Sequence, residues 1–151
     1  RPDIRWVMTR DMPAILNIER QSHAFPWCEE DFLKRLRRRE KGYIGMVIKQ
    51  EEKVVGFMIF RLRKKKLNVL KLAVHADFRL QKVGTAMINE LISRLSAHRR
   101  NVITIKIREN NLDAQLFFRR MKFQAISVLR NYFSDSGEDA YLFEYKLLEL
   151  E

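Results

Sequence analysis

Residues 72–86 read Leu72-Ala73-Val74-His75-Ala76-Asp77-Phe78-Arg79-Leu80-Gln81-Lys82-Val83-Gly84-Thr85-Ala86. An apolar run ends at Val74, a short basic loop carrying one glycine follows, and a helical apolar period begins beyond it. A strand that feeds a loop and then a helix aims several backbone N–H groups one way, and the positive end of the helix dipole adds to them. That arrangement suits a pyrophosphate. The stretch therefore predicts both a strand–loop–helix unit of an α/β fold and an anion-binding turn.

Working outward, Gly84–His98 is expected as an amphipathic helix, because Met87, Ile88, Leu91, Ile92 and Leu95 keep the 3.6-residue period. Val102–Ile107 alternates as a strand, with Val102, Thr104 and Lys106 on one face. Asn111 is placed to cap a following helix. Strands are expected near Ala125–Arg130 and Ala140–Leu147. Upstream, Ile4–Met8 reads as a strand, Asp11 as the cap of a helix with Pro13 in its first turn, and Glu29–Arg38 as a short basic helix. Tyr43–Ile48 and Val54–Leu62 form a hairpin around the polar turn Lys49–Lys53, and Leu67–Val74 is the next strand. The order β-α-α-β-β-β-α-β-α-β-β predicts an α/β (α+β) domain. Its mixed sheet has about seven strands and about four flanking helices.

The chain has 151 residues, 46% hydrophobic and 32% charged, with no internal repeat or linker, so a single domain spanning 1–151 is expected. No apolar run reaches the ~20 residues of a membrane span. The first residues lack the apolar segment of a signal peptide. One cysteine excludes an internal disulfide, and the three histidines lack ligand spacing. The expectation is a cytoplasmic, metal-free monomer. Cys28 stands where Ser or Thr would cap the second helix, without a neighbour that would activate its thiol.

The net charge is +11. Basic runs at Lys34–Lys41, Arg61–Lys66 and Arg119–Lys122 are either solvated faces or an attraction for a polyanion. Candidates for the polyanion are a phosphorylated cofactor, RNA and a ribonucleoprotein surface. No aromatic-interleaved RNA motif accompanies the runs.

Ile18-Glu19, Phe25-Pro26-Trp27, Leu72–His75, Phe78-Arg79, Arg108–Asn111, Phe123, Arg130–Phe133 and Gly137–Ala140 occur in one order along the chain. In them the sequence resembles the GNAT superfamily of acetyl-CoA-dependent N-acetyltransferases. More narrowly, the sequence looks like the ribosomal-protein-alanine N-acetyltransferase (RimI-like) branch. The resemblance implies acetyl-CoA as co-substrate. The backbone of Leu72, Ala73 and Val74 would hold its pantetheine arm. Arg79, Leu80, Gln81, Lys82, Val83, Gly84 and Thr85 would hold its pyrophosphate, and Asn111 would contact it. It implies transfer to the N-terminal amine of a protein, with an N-terminal Ala of a small-subunit ribosomal protein as the expected acceptor. Contact with ribosomal RNA through the basic surface would accompany this.

Three positions depart from the family pattern. Lys82 replaces the first loop glycine, so a positive φ there would strain the backbone. Lys106 stands at the general-base glutamate position, and Phe118, which has no proton to give, at the general-acid tyrosine position. Neither role carries over. Water-relayed deprotonation by Glu19 or Glu109, and protonation of the leaving thiolate by Tyr132, are the candidates that remain. Glu19, Trp27 and Tyr132 are the expected acceptor-binding residues. The alternative is a catalytically weak paralogue that binds acetyl-CoA or ribosomal RNA in a regulatory or structural role.

Overall fold

The structure, a computed structural model, describes residues 3–79 and 82–148. Seven strands form one sheet in the order β1-β2-β3-β4-β5-β7-β6. These are β1 Asp3–Trp6, β2 Tyr43–Gln50, β3 Lys53–Leu62, β4 Lys66–Val74, β5 Val102–Arg108, β6 Gln124–Leu129 and β7 Ala140–Lys146. Four α-helices, α1 Met12–Ser22, α2 Glu29–Leu36, α3 Val83–Ser93 and α4 Leu112–Arg120, complete the order that the sequence predicts. The β4–β5 pair is parallel, and the other ladders of known register are antiparallel.

The chain divides into two compact units, Arg1–Leu62 with Leu70–Glu90, and Arg63–Val69 with Leu91–Glu151. In the first, β3 is buried without interruption from Val55 to Phe60, so it is covered on both faces. Met12, Ile15 and Ile18 of α1 join Phe32 of α2 and Val47, Phe57, Ile59 and Ala73 of the sheet in one core. Gly45 on β2 is required by the close approach of α2: a Cβ there would lie 2.5 Å from Leu36 Cδ2. The second unit buries Leu67, Val69, Ile103, Ile107, Phe118, Phe123 and Phe143. Its parallel ladder runs from Lys66 opposite Val102 to Val69 opposite Ile105.

Two local expectations are corrected. The third helix ends at Ser93, not His98, and residues 94–99 turn; the amides of Arg94 and Leu95 bond three residues back, to Leu91 and Ile92. The apolar period outlasts the helix because Leu95 remains half-buried in the turn. Asp11 precedes α1 but does not cap it. Its carboxylate, 3% exposed, accepts the Met8 N–H at 2.7 Å and both Nη of Arg5 at 2.8 and 2.9 Å. Those hydrogen bonds, from the Arg5 guanidinium first, hold Asp11 below its ordinary pKa of 3.8.

Candidate active site

In the first unit, β4 hands the chain to α3 through a turn anchored on neighbouring elements. His75 N–H donates to Val55 O at 2.8 Å and Ala76 N–H to Gln21 Oε1 at 3.1 Å. His75 Nδ1 accepts Asp77 N–H at 3.1 Å, closing the single turn Ala76–Phe78. Arg79 folds back, donating from Nε to Val74 O and from Nη2 to Ser22 Oγ, each at 3.2 Å. Leu80 and Gln81, both expected in the anion loop, lie outside the described residues. Lys82 is exposed with φ +63°, in the left-handed region that favours glycine, and its carbonyl accepts the Ala86 N–H at 3.0 Å. Val83, Gly84 and Thr85 form the first turn of α3, where helical geometry leaves amide groups without an intrahelical acceptor. Arg79 thus works as a brace for the end of β4, and the first-turn backbone amides of α3 stand at the positive end of that helix.

The same unit holds a buried carboxylate. Glu19 lies inside α1 with no exposed surface, not on the solvated face that a helix glutamate usually occupies. Its Oε2 accepts the Trp27 N–H at 2.9 Å and the Lys71 ammonium at 2.7 Å. Its Oε1 lies 3.3 Å from His23 Nε2. Lys71 Nζ stands 4.7 Å from the Trp27 ring centroid, and Arg35 Cζ stands 4.2 Å from it. Trp27 packs edge-on to Phe32, so its ring is at once a core wall and a cation platform. Glu19 and Trp27, both expected to bind the acceptor, are therefore neighbours. Lys71 and His23 are the members of this cluster that sequence reading missed. His23, four residues after Glu19, carried a local signal; Lys71 carried none.

Cys28 precedes α2, and its N–H and Sγ both donate to Asp31 Oδ2, at 3.0 and 3.2 Å. These bonds, from the Cys28 amide first, lower the Asp31 pKa.

In the second unit, residues 130–139 form a loop locked to the end of β5. Arg108 donates to both carboxylate oxygens of Asp135, at 2.8 and 2.7 Å, and to Glu138 at 3.2 Å. Its Cζ stands 4.0 Å from the Phe133 ring centroid. The Arg108 hydrogen bond, first among several, lowers the Asp135 pKa. Asp139 accepts Asn131 N–H at 2.8 Å and Arg130 at 2.9 Å, and its pKa is lowered, chiefly by the Asn131 amide. Glu109, one of the two carboxylates suggested for proton relay, accepts Asp139 N–H at 3.1 Å and so fastens this loop. Tyr132 is carried on it, 47% exposed, edge-on to Phe133 and with Lys106 Nζ 5.3 Å from its ring centroid.

Lys106 is exposed on β5. Phe118 is 3% exposed, packed between Phe117 and Phe123 with ring centroids 5.0 Å from each. Phe118, at the position where the resemblance implies a general acid, is thus a core side chain. Asn111 caps α4, its Oδ1 accepting Ala114 N–H at 3.1 Å. Among the described residues, no helix is long and apolar enough to cross a membrane. None of their His, Cys, Asp or Glu side chains group in threes that could hold a metal ion.

The chain resembles known proteins along most of its length. The chain is 29% identical over 136 residues to the [ribosomal protein bS18]-alanine N-acetyltransferase of Escherichia coli strain K12, covering 89% of this chain and 90% of that one. The crystal structure of the E. coli ribosomal-protein-S18-alanine N-acetyltransferase superposes with a TM-score of 0.84 at 26% identity, covering 100% of this chain and 97% of that one. Ard1 from Thermoplasma volcanium gives 0.85 at 25% identity, covering 98% and 99%. Residues 9–123, which include the β4 turn, α3 and the buried Glu19, match the acetyltransferase (GNAT) family model, and the chain belongs to that family.

Proposed function

We propose that the protein transfers the acetyl group of acetyl-CoA to the α-amine of a protein N-terminus, with an N-terminal Ala of a small-subunit ribosomal protein as the acceptor, acting as a monomer in the cytoplasm. The observation that carries the cofactor assignment is the left-handed Lys82 at the start of α3. The first-turn amides of that helix would donate to a diphosphate. The acceptor assignment rests on the likeness to the bS18-alanine N-acetyltransferase along almost all of both chains.

Acetyl-CoA supplies an activated acyl group, so the amine attacks directly in a ternary complex and no acyl-enzyme forms. Leu72, Ala73 and Val74 hold its pantetheine arm by backbone hydrogen bonds. The segment 79–85 holds its pyrophosphate, and Asn111 contacts it. The residues then have to orient the amine, take one proton from it and return one to the departing thiolate. Glu19, its carboxylate oriented by Lys71 and the Trp27 amide, accepts the amine proton through a water. Trp27 supplies an apolar wall for the first acceptor residue. Tyr132 donates to the thiolate from the loop that Arg108 fastens.

Incubation with acetyl-CoA and short peptides differing only at residue one, read by mass spectrometry, tests the reading. Acetylation at the α-amine of an Ala-starting peptide is the expected result. Acetyl-CoA binding without product on any peptide would overturn it in favour of a non-catalytic role.

A further inference from the structure

The first unit carries a basic face remote in sequence from the β4 turn. Six of the eight residues Lys34–Lys41 are cationic. Arg37, Arg38, Arg39 and Lys41 are exposed where α2 ends and a single turn, Arg39–Lys41, leads into β2. Among the described residues, none of Arg37, Arg38, Arg39, Lys41 or Arg61 forms an ion pair. So much like charge in one place is self-repulsive unless an anion meets it.

Two of these arginines lie against aromatic rings. Arg39 Cζ is 4.5 Å from the Trp6 centroid, and Trp6, the last residue of edge strand β1, is still 45% exposed. Arg61 Cζ is 4.6 Å from the ring of Tyr43, its cross-strand partner. Trp6, Arg39 and Tyr43 line one shallow cleft of about 70 Å³, well short of the roughly 300–1,000 Å³ of small-molecule sites. A surface ligand, not an enclosed one, fits there.

We propose that this face binds single-stranded RNA. Guanidinium groups without an ion pair offer donors to successive phosphates. An exposed indole beside a guanidinium offers a stacking platform for a base, which an acidic peptide would leave unused. The choice of RNA as the strand rests on the ribosomal acceptor proposed above; the aromatic and cationic pairing stands without it. The aromatic partners come from β1 and β2, so no interleaved motif is visible along the basic run itself.

The test is fluorescence anisotropy of a labelled 12-nucleotide RNA with the full chain, in the absence of acetyl-CoA and peptide, across a salt series. Binding is expected to weaken steeply with salt. R37Q/R38Q/R39Q should reduce the slope of log K against log salt by about 2, at ~0.7 per lost phosphate contact. W6L should weaken binding by about tenfold with the slope unchanged, as loss of one stacked base would. Acetylation of a free peptide should be unchanged in R37Q/R38Q/R39Q and W6L, which also shows that they fold. Absence of binding at 50 mM salt would overturn the proposal. So would equal affinity for poly-glutamate or anionic vesicles, or wild-type RNA binding by the triple variant. Because peptide turnover is measured separately, failure of RNA binding and failure of N-terminal acetylation are distinct results.

Discussion

Lys71 donates to Glu19 at 2.7 Å across 52 positions of sequence, placing an ammonium from β4 on a carboxylate buried inside α1. A fully buried carboxylate without a cation is costly, so the two residues stand or fall together. Lys71→Met should destabilise the protein by about 3 kcal/mol, read as a shift of the urea midpoint. Glu19→Gln keeps the shape and tests the proton role. It should lower kcat by ~10²–10⁴-fold with little change in the KM for acetyl-CoA. An unchanged kcat in folded Glu19→Gln would remove Glu19 from the chemistry and leave it a structural pair with Lys71.

Lys82 occupies a left-handed conformation, φ +63°, at the turn into α3. A side chain with a Cβ is strained there by roughly 1–2 kcal/mol, and glycine is not. Lys82→Gly should therefore raise stability by about 1 kcal/mol, whereas Lys82→Ala, which keeps the Cβ, should not. Thermal unfolding of the two variants side by side checks this, and equal midpoints would show that the strain is absorbed elsewhere.

These cases mark what the sequence discloses. Element order was legible because strand and helix periods are local, and the β4 turn was legible because loop, glycine and helix start are contiguous. The burial of Glu19 was not, because it depends on Lys71, and a glutamate at a mid-helix position carries no mark of the partner it will meet. The acids Asp135, Glu138 and Asp139 look like a solvated loop along the chain. Their roles appear only when β5 brings Arg108 and Glu109 to them. Asp11 has the sequence position of a helix cap, yet the Arg5 guanidinium and the Met8 amide take its oxygens first.

Asp11 sets a pH dependence with a definite sign. Its pKa in the folded protein lies below the ordinary 3.8, so the unfolded chain takes up the proton first as pH falls. The stabilisation is present above about pH 4 and is lost as pH drops through the lowered value. Asp11→Asn removes that ion pair at all pH values. It should cost about 3 kcal/mol at pH 7. The gap between variant and wild type in urea unfolding should then narrow as pH falls below about 4. A gap that stays constant over that range would mean Arg5 is held without the Asp11 charge.

The β2–β3 hairpin offers a last test, because its two-residue turn is made by Glu51 and Glu52 at φ +50° and +67°. Two successive positive φ values define the turn whose twist matches antiparallel strands, and Asn-Gly is the pair that adopts it without strain. Glu51→Asn with Glu52→Gly gives up the contact of Glu52 with Lys49 at 3.1 Å, but Glu52 is 93% exposed there. Such a surface pair contributes ~0–1 kcal/mol, and relief of two left-handed glutamates outweighs it. The double variant should be more stable by about 1 kcal/mol, read as a higher unfolding midpoint. A lower unfolding midpoint would mean that the Lys49–Glu52 pair, not the backbone, holds the turn.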